Sequence, residues 1–306
     1  MLTAYIRHSD CLKPDPGEMH PEHPARLRAI DDQLLASGLL SYLDCHDAPQ
    51  ATLEQIERVH DRAYVENLFN ISPLEGELHL DPDTIMTPDT LEAALRASGA
   101  AVLATELVLR GQAVNAFCAV RPPGHHAGPD YAMGFCLFNN VAVAAAHALE
   151  AFGLSRVAIA DFDVHHGNGT EDIFRNDPRV MLCSSFQHPF YPYLGVEGGN
   201  DHIINVPLPA NTGGDAFREA IETHWKPALE SFRPEMLFIS AGFDAHWEDD
   251  QGQMLLNERD YRWISQFLKD VAAQHCNHRL VSVLEGGYVP EALGRSVATH
   301  MKVLMS

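Results

Sequence analysis

The sequence predicts an α/β protein: one domain spanning residues 1–306, three layers deep, with a mostly parallel central sheet between two helical layers and a site at the carboxyl ends of the strands. Three observations carry that expectation. From about residue 113 onward, short runs rich in Val and Ile alternate with longer amphipathic stretches, as strands and helices taking turns would. The short runs are nearly continuous in apolar residues, which suits strands buried on both faces. Four polar clusters each follow such a run, where open α/β sheets build their sites.

Taken in order, residues 14–23 read as a polar loop and 83–110 as a long Ala/Leu-rich helix; the rest of the first hundred residues reads as helices and loops. Strands are expected at 113–120, 156–164, 180–186, 202–208, 235–243 and 279–285. Helices are expected at 138–152, 216–232, 258–275 and 290–305. No repeat, low-complexity linker or shift in composition divides the chain, and 306 residues can bury a core of this size.

The balance of 21 basic against 42 acidic side chains gives a formal charge of −21. Nucleic-acid phosphates would be repelled, which argues against such a partner. A cationic substrate is mildly favoured by steering, although solubility alone accounts for the charge. No apolar run is long enough to span a bilayer, and residues 1–10 are mixed rather than a secretory core. The six cysteines show no Cys-x-x-Cys spacing and lie mostly in apolar surroundings, as reduced thiols do. The expectation is a cytoplasmic protein with no membrane or nucleic-acid partner. A homo-oligomer formed through rim loops is compatible with the sequence.

The most informative stretch is 160–169, Ala-Asp-Phe-Asp-Val-His-His-Gly-Asn-Gly. Alternate residues of a strand share a face, so Asp161, Asp163 and His165 converge. Carboxylate oxygen and imidazole nitrogen are ligands of a catalytic zinc, and ferrous iron accepts the same set. Asp163, His165 and the distant strand-end Asp244 are the three proposed ligands, leaving one position for water. A lone strand-end Asp more often caps a helix; the Asp-x-His pair with Asp244 in a Gly-rich setting favours the metal. His125 and His126 follow a stiff Pro-Pro-Gly turn and suit general base and acid work. Asp161 is one carboxylate too many for the metal and fits as acceptor of the His125 Nδ1–H. Asn168 fits the same task for His126, or serves a turn. Tyr288, after two glycines, suits donation to an oxyanion, although a Tyr in that setting more often packs. Phe135, Phe190 and Tyr191 lie on loops where they could wall a narrow apolar channel, or simply pack in the core.

With these residues in place, the chain resembles the zinc-dependent histone deacetylase family, of the arginase/deacetylase fold, and most of all its class II and bacterial deacetylase-like branch. RPPGHHA, GFCLFNN, DFDVHHGNGT, SAGFDAH and EGGY occur in order, and the likeness runs from residue 20 to 288. The resemblance implies zinc at Asp163, His165 and Asp244, with His126 as main base and acid and His125 as its electrostatic partner. It implies that Tyr288 polarises the scissile carbonyl and that Phe135, with Phe190 or Tyr191, flanks an acyl-lysine tunnel lined by Gly134. His20, Gln251 and Arg26 join the substrate-binding residues, Arg26 matching an arginine near the tunnel's inner end. Structural potassium is implied beside the zinc through Asp161, Asp163, His165 and Ser184, with a second near Phe174 and Val180. The chain departs from the family at Phe186, where histidine is frequent, and at Tyr193-Leu194-Gly195. It departs again at Gln251, where class II lysine deacetylases usually have leucine and the polyamine branch glutamate; Asp249 and Asp250 make that segment acidic.

The expected activity is metal-dependent removal of acetyl or other acyl groups from the side-chain amine of acyl-lysine. The alternative is deacetylation of acetylated polyamines, whose remote ammonium an acidic mouth would pair with. A binuclear ureohydrolase has less support, because Asp244-Ala245-His246 lacks the second Asp that a second metal needs. A non-catalytic acyl-lysine binder has less still, because every expected catalytic position is filled.

Overall fold

The computed structural model describes residues 2–17, 20–197 and 199–306. In chain order its elements are β1 (Ala4–Arg7), α1 (Ala25–Ala36), β2 (Asp44–Asp47), α2 (Leu53–Ile56), α3 (Arg62–Ile71), β3 (Leu78–His79), β4 (Ile85–Met86), α4 (Thr90–Leu109), β5 (Ala116–Cys118) and α5 (Asn140–Phe152). There follow β6 (Val157–Asp161), α6 (Asn168–Phe174), β7 (Val180–Gln187), β8 (Ile203–Leu208), α7 (Gly214–Phe232), β9 (Met236–Ala241), α8 (Glu258–His275), β10 (Leu280–Leu284) and α9 (Pro290–Leu304).

Eight strands form one sheet in the order β2-β1-β5-β10-β9-β6-β7-β8, every neighbouring pair parallel. Every residue of β6, β7, β9 and β10 is buried. That is why their sequences are largely apolar rather than strictly alternating. One layer is built from α1, α9, α8 and α7 packed in series, and the other from α4, α5 and α6. The strand order decides where the chemistry falls. β9 and β10 come last in the chain but insert between β5 and β6, so the four central strands are β5, β10, β9 and β6. Each is followed by one of the four polar clusters, which therefore meet at the same edge of the sheet although more than 120 residues separate the first from the last of them.

Two expectations needed correction. The first hundred residues are not only helix and loop: β1 and β2 extend the central sheet, β1 pairing with both β2 and β5. Each is only four residues long, and β2 is the edge strand with residues alternately half-buried and exposed, so neither carries a long apolar signal. Helix α4 begins at Thr90 rather than at 83. Pro88 disfavours helical backbone before it, and β4 takes up Ile85–Met86. The four central strands stop short of their expected ends, because the chain leaves the ladder to form the site: β5 ends at Cys118, β6 at Asp161, β9 at Ala241 and β10 at Leu284.

Candidate active site

Asp163, His165 and Asp244 each offer a ligand atom, and these atoms lie within 4.8 Å of one another. Backbone amides aim them. Asp163 Oδ2 accepts from Gly286 N at 2.9 Å, Asp163 Oδ1 from His165 N at 2.9 Å, and Asp244 Oδ1 from Val164 N at 2.9 Å. His165 Nδ1 lies 3.0 Å from Asp163 Oδ1 and 3.3 Å from Asp244 Oδ2, but only the first pair has hydrogen-bond geometry. Asp244 Oδ2 is thus a fully buried carboxylate oxygen with no donor among the described residues. Such an oxygen is costly unless something positive meets it. A Cβ on Gly286 would come within 1.9 Å of it, so only glycine leaves room there. Burial and the Asp163 charge push Asp244 up to about 7. Burial opposes charge on His165, yet Asp163 and Asp244 outweigh it and hold the imidazole up to about 10. The cluster attracts positive charge, as a divalent-cation site of two carboxylates and one imidazole does.

His125 and His126 sit beside this cluster, their rings 4.1 Å apart. His125 Nδ1 pairs with Asp161 Oδ2 at 2.9 Å, and His126 Nδ1 with Asn168 Oδ1 at 2.7 Å. The orientation of the Asn168 amide is fixed independently. Its Nδ2 donates to Tyr131 Oη at 3.1 Å, while that hydroxyl donates to Asp172 Oδ2 at 2.5 Å. Asn168 Oδ1 therefore faces the imidazole and accepts its Nδ1–H, leaving Nε2 of His126 as the basic nitrogen. Burial disfavours charge on both rings. The carboxylates of Asp161 and Asp163 overcome this at His125, which is held up to about 10. Burial and the neighbouring His125 and His165 hold His126 well below the ordinary histidine range. One ring is charged and the other neutral.

A cavity of about 240 Å³ opens onto these groups, lined by Asp83, His126, Gly134, Phe135, His165, Phe190, Tyr191, Asp250, Gln251 and Tyr288. Phe190 stacks on His165 at 5.6 Å, and Tyr191 stands edge-on to His126 at 5.3 Å, so both aromatics wall it. Phe135 meets the Tyr288 ring edge-on at 5.8 Å. His20 and Arg26 lie instead around an adjoining space of about 350 Å³, reached past Gln251 and Tyr288. Arg26 is buried and gives its donors to Gly287 O (2.6 Å), Glu22 Oε1 (2.9 Å) and Glu285 O, its guanidinium lying 4.7 Å from the Tyr288 ring centre. It braces the Tyr288 segment, where a substrate contact was expected. The Ser184 hydroxyl is engaged by His166 Nδ1 at 3.0 Å.

Comparison with known proteins shows the family. Residues 20–304 match the family described as histone deacetylase domain. The chain belongs to the histone deacetylase family. It is 39% identical to a histone deacetylase-like amidohydrolase of Pseudomonas aeruginosa, over 90% of this chain and 74% of that one. It is 37% identical to a probable deacetylase of Archaeoglobus fulgidus, over 95% and 82%. The mouse polyamine deacetylase HDAC10 is 36% identical over the whole of this chain, which spans 48% of that protein's length. The type-2 histone deacetylase 2 of Dictyostelium discoideum is spanned to only 21% of its length. The crystal structure of the HDA15 HD domain superposes with a TM-score of 0.94 at 34% identity, over 99% of this chain and 88% of that one. As a histone deacetylase family member the chain is a hydrolase with the arginase/deacetylase α/β fold.

Sequence reasoning passed over three buried or half-buried acids in this histone deacetylase domain. Glu285 Oε2 accepts from Gly124 N (2.7 Å) and His125 N (3.1 Å), and Oε1 from Ser240 Oγ (3.0 Å), pinning the histidine turn to β9. Asp83 lines the cavity and is pushed up to about 6 by burial and by Asp81. The Asp-Pro-Asp doublet was its only signal. Asp249 accepts three backbone amides; as one of three consecutive acids it read only as part of an acidic segment beside Gln251.

Proposed function

We propose that the chain is a zinc-dependent amidohydrolase that removes acetyl, or another small acyl group, from the side-chain amine of acyl-lysine. The observation that supports this most is that His126, Tyr288 and His165 of the three-ligand cluster line one aromatic-walled cavity. The ligand set suits zinc, and Asp244 Oδ2, buried without a donor among the described residues, suits any divalent cation. Zinc, when bound, supplies Lewis-acid polarisation and lowers the pKa of water to roughly 7.

The chain's own residues do the rest. Phe135, Phe190 and Tyr191 take the alkyl stem of the acyl-lysine and exclude water around it. His126 Nε2 accepts the proton of the attacking water and returns it to the nitrogen of the leaving amine. His125, held charged by Asp161, favours the negative charge that develops as water attacks. The Tyr288 hydroxyl donates to the carbonyl oxygen as charge builds on it. Potassium beside the metal site belongs to the same reading; Asp161 and Ser184 are register partners on β6 and β7. Replacing His126 by Ala should lower kcat/KM on an acetyl-lysine peptide by about 10²–10⁴-fold at unchanged metal content. Unchanged turnover would remove His126 from the role.

Deacetylation of acetylated polyamines is the second reading. Asp83 and Asp250 place two carboxylates on the cavity wall, and a mouse relative carries that activity in its name. Comparing kcat/KM for acetylputrescine, acetylspermidine and an acetyl-lysine peptide separates the two, a polyamine preference overturning the first.

A further inference from the structure

Tyr288 follows Gly286 and Gly287, the latter at φ +115°, so its own backbone does little to hold it. The structure clamps this hinge from outside, on both polar sides of the peptide chain. On the carbonyl side, Arg26 binds Glu285 O and Gly287 O. On the amide side stands one carboxylate, Asp249, which is buried. Its Oδ2 accepts from Tyr288 N at 2.6 Å and from Val289 N at 3.3 Å. Its other oxygen, Oδ1, accepts from Gln251 N at 3.0 Å. Gln251 and Tyr288 both line the cavity.

We propose that Asp249 is a positioning residue that locks the cavity-lining Gln251 turn and the Tyr288 segment into one rigid unit. It rests on the role given above to Tyr288, which it deepens by naming what holds the phenol in place. Three part-buried backbone amides share this carboxylate, and without it they have no acceptor in that position, so the glycine hinge is released. A phenol displaced by even 1 Å loses its grip on the carbonyl oxygen, at a cost of up to about 10²-fold in rate. Substrate selection at Gln251 and carbonyl activation at Tyr288 are therefore coupled through a side chain that touches no substrate.

The test uses the full chain, loaded with zinc, and the variants Asp249→Ala, Asp249→Asn, Tyr288→Phe and Asp249→Ala/Tyr288→Phe. Hydrogen exchange reads the clamp without reference to catalysis: the amides of Tyr288 and Val289 should exchange at least about tenfold faster in Asp249→Ala, while strands β6 and β9 keep their protection. Asp249→Asn, which retains one acceptor oxygen, should fall between. In kinetics, Asp249→Ala should lower kcat about 10–10²-fold, and the double variant should be no more than about threefold worse than Tyr288→Phe, because both changes remove one function. Unchanged exchange at Tyr288 and Val289, or losses that multiply in the double variant, would overturn the proposal. If Tyr288→Phe alone leaves turnover intact, the role of the phenol fails, and the exchange experiment still decides whether Asp249 is the clamp.

Discussion

His125 and His126 are adjacent copies of one side chain, and their neighbours set them to opposite tasks. An aspartate behind the first keeps it charged; burial, with His125 and His165 close by, keeps the second neutral, and the amide behind it opposes this too weakly to matter. Exchanging the amide for a carboxylate tests this directly. Asn168→Asp should stabilise the protonated form of His126, so the acidic limb of the kcat/KM profile should move to higher pH by about one unit. An unmoved limb would separate Asn168 from the basic group. At this scale the sequence was most legible where residue types were rare together: Asp-x-His at a strand end and tandem histidines after Pro-Pro-Gly announce themselves. Asp249 and Glu285 do not, because a single acid in a chain with 42 of them carries no signal until its backbone partners are known.

Helices and strands were legible wherever the apolar run was long, and illegible where pairing alone makes the element. β6, β7, β9 and β10 show themselves in sequence because both their faces are buried, whereas β1 and β2 owe their extended form to the neighbours they pair with. The connections between elements carry testable chemistry of their own. His60, in the turn between α2 and α3, is buried, with Nδ1 bonded to Gly128 O at 2.8 Å and Nε2 accepting from Asn139 N at 2.9 Å. Both nitrogens are used in the neutral form, and burial lowers this histidine to about 4. Above pH ~6.5 the ring is neutral in both folded and unfolded chains and stability does not respond to it. As pH falls from there towards 4, the unfolded chain takes up a proton that the folded one refuses, so stability declines, by about 2 kcal/mol between pH 7 and 5. His300, buried between Ser265 and Ser282 and lowered to about 3, adds to the same trend. Urea midpoints measured across that range check the slope, and His60→Gln should flatten it.

Across the whole molecule, the order of the strands does what no local motif can: it inserts β9 and β10 between β5 and β6 and so assembles one site from four distant segments. That order was not readable from the sequence, because parallel strands joined by helices permit many arrangements. A buried ionic triad ties the N-terminal segment to this centre. Glu22 accepts from Arg26 (2.9 Å) and from Arg121 Nη2 (2.7 Å), and Arg121 also reaches Cys11 O and Pro14 O. Glu22→Ala strands two buried guanidinium groups and should destabilise the fold by about 3–5 kcal/mol, read as a lowered denaturation midpoint. A loss within about 0.5 kcal/mol would mean that the triad contributes nothing. The central claim is that one cation, held by residues that follow two separate strands, is needed for amide hydrolysis. It is tested most directly by stripping the protein with a chelator and titrating zinc back while following acetate release from an acetyl-lysine peptide. Turnover should return and level off at about one zinc per chain, and the same titration of Asp244→Ala should restore almost none. Full turnover in the stripped protein, or normal recovery in Asp244→Ala, would contradict the account.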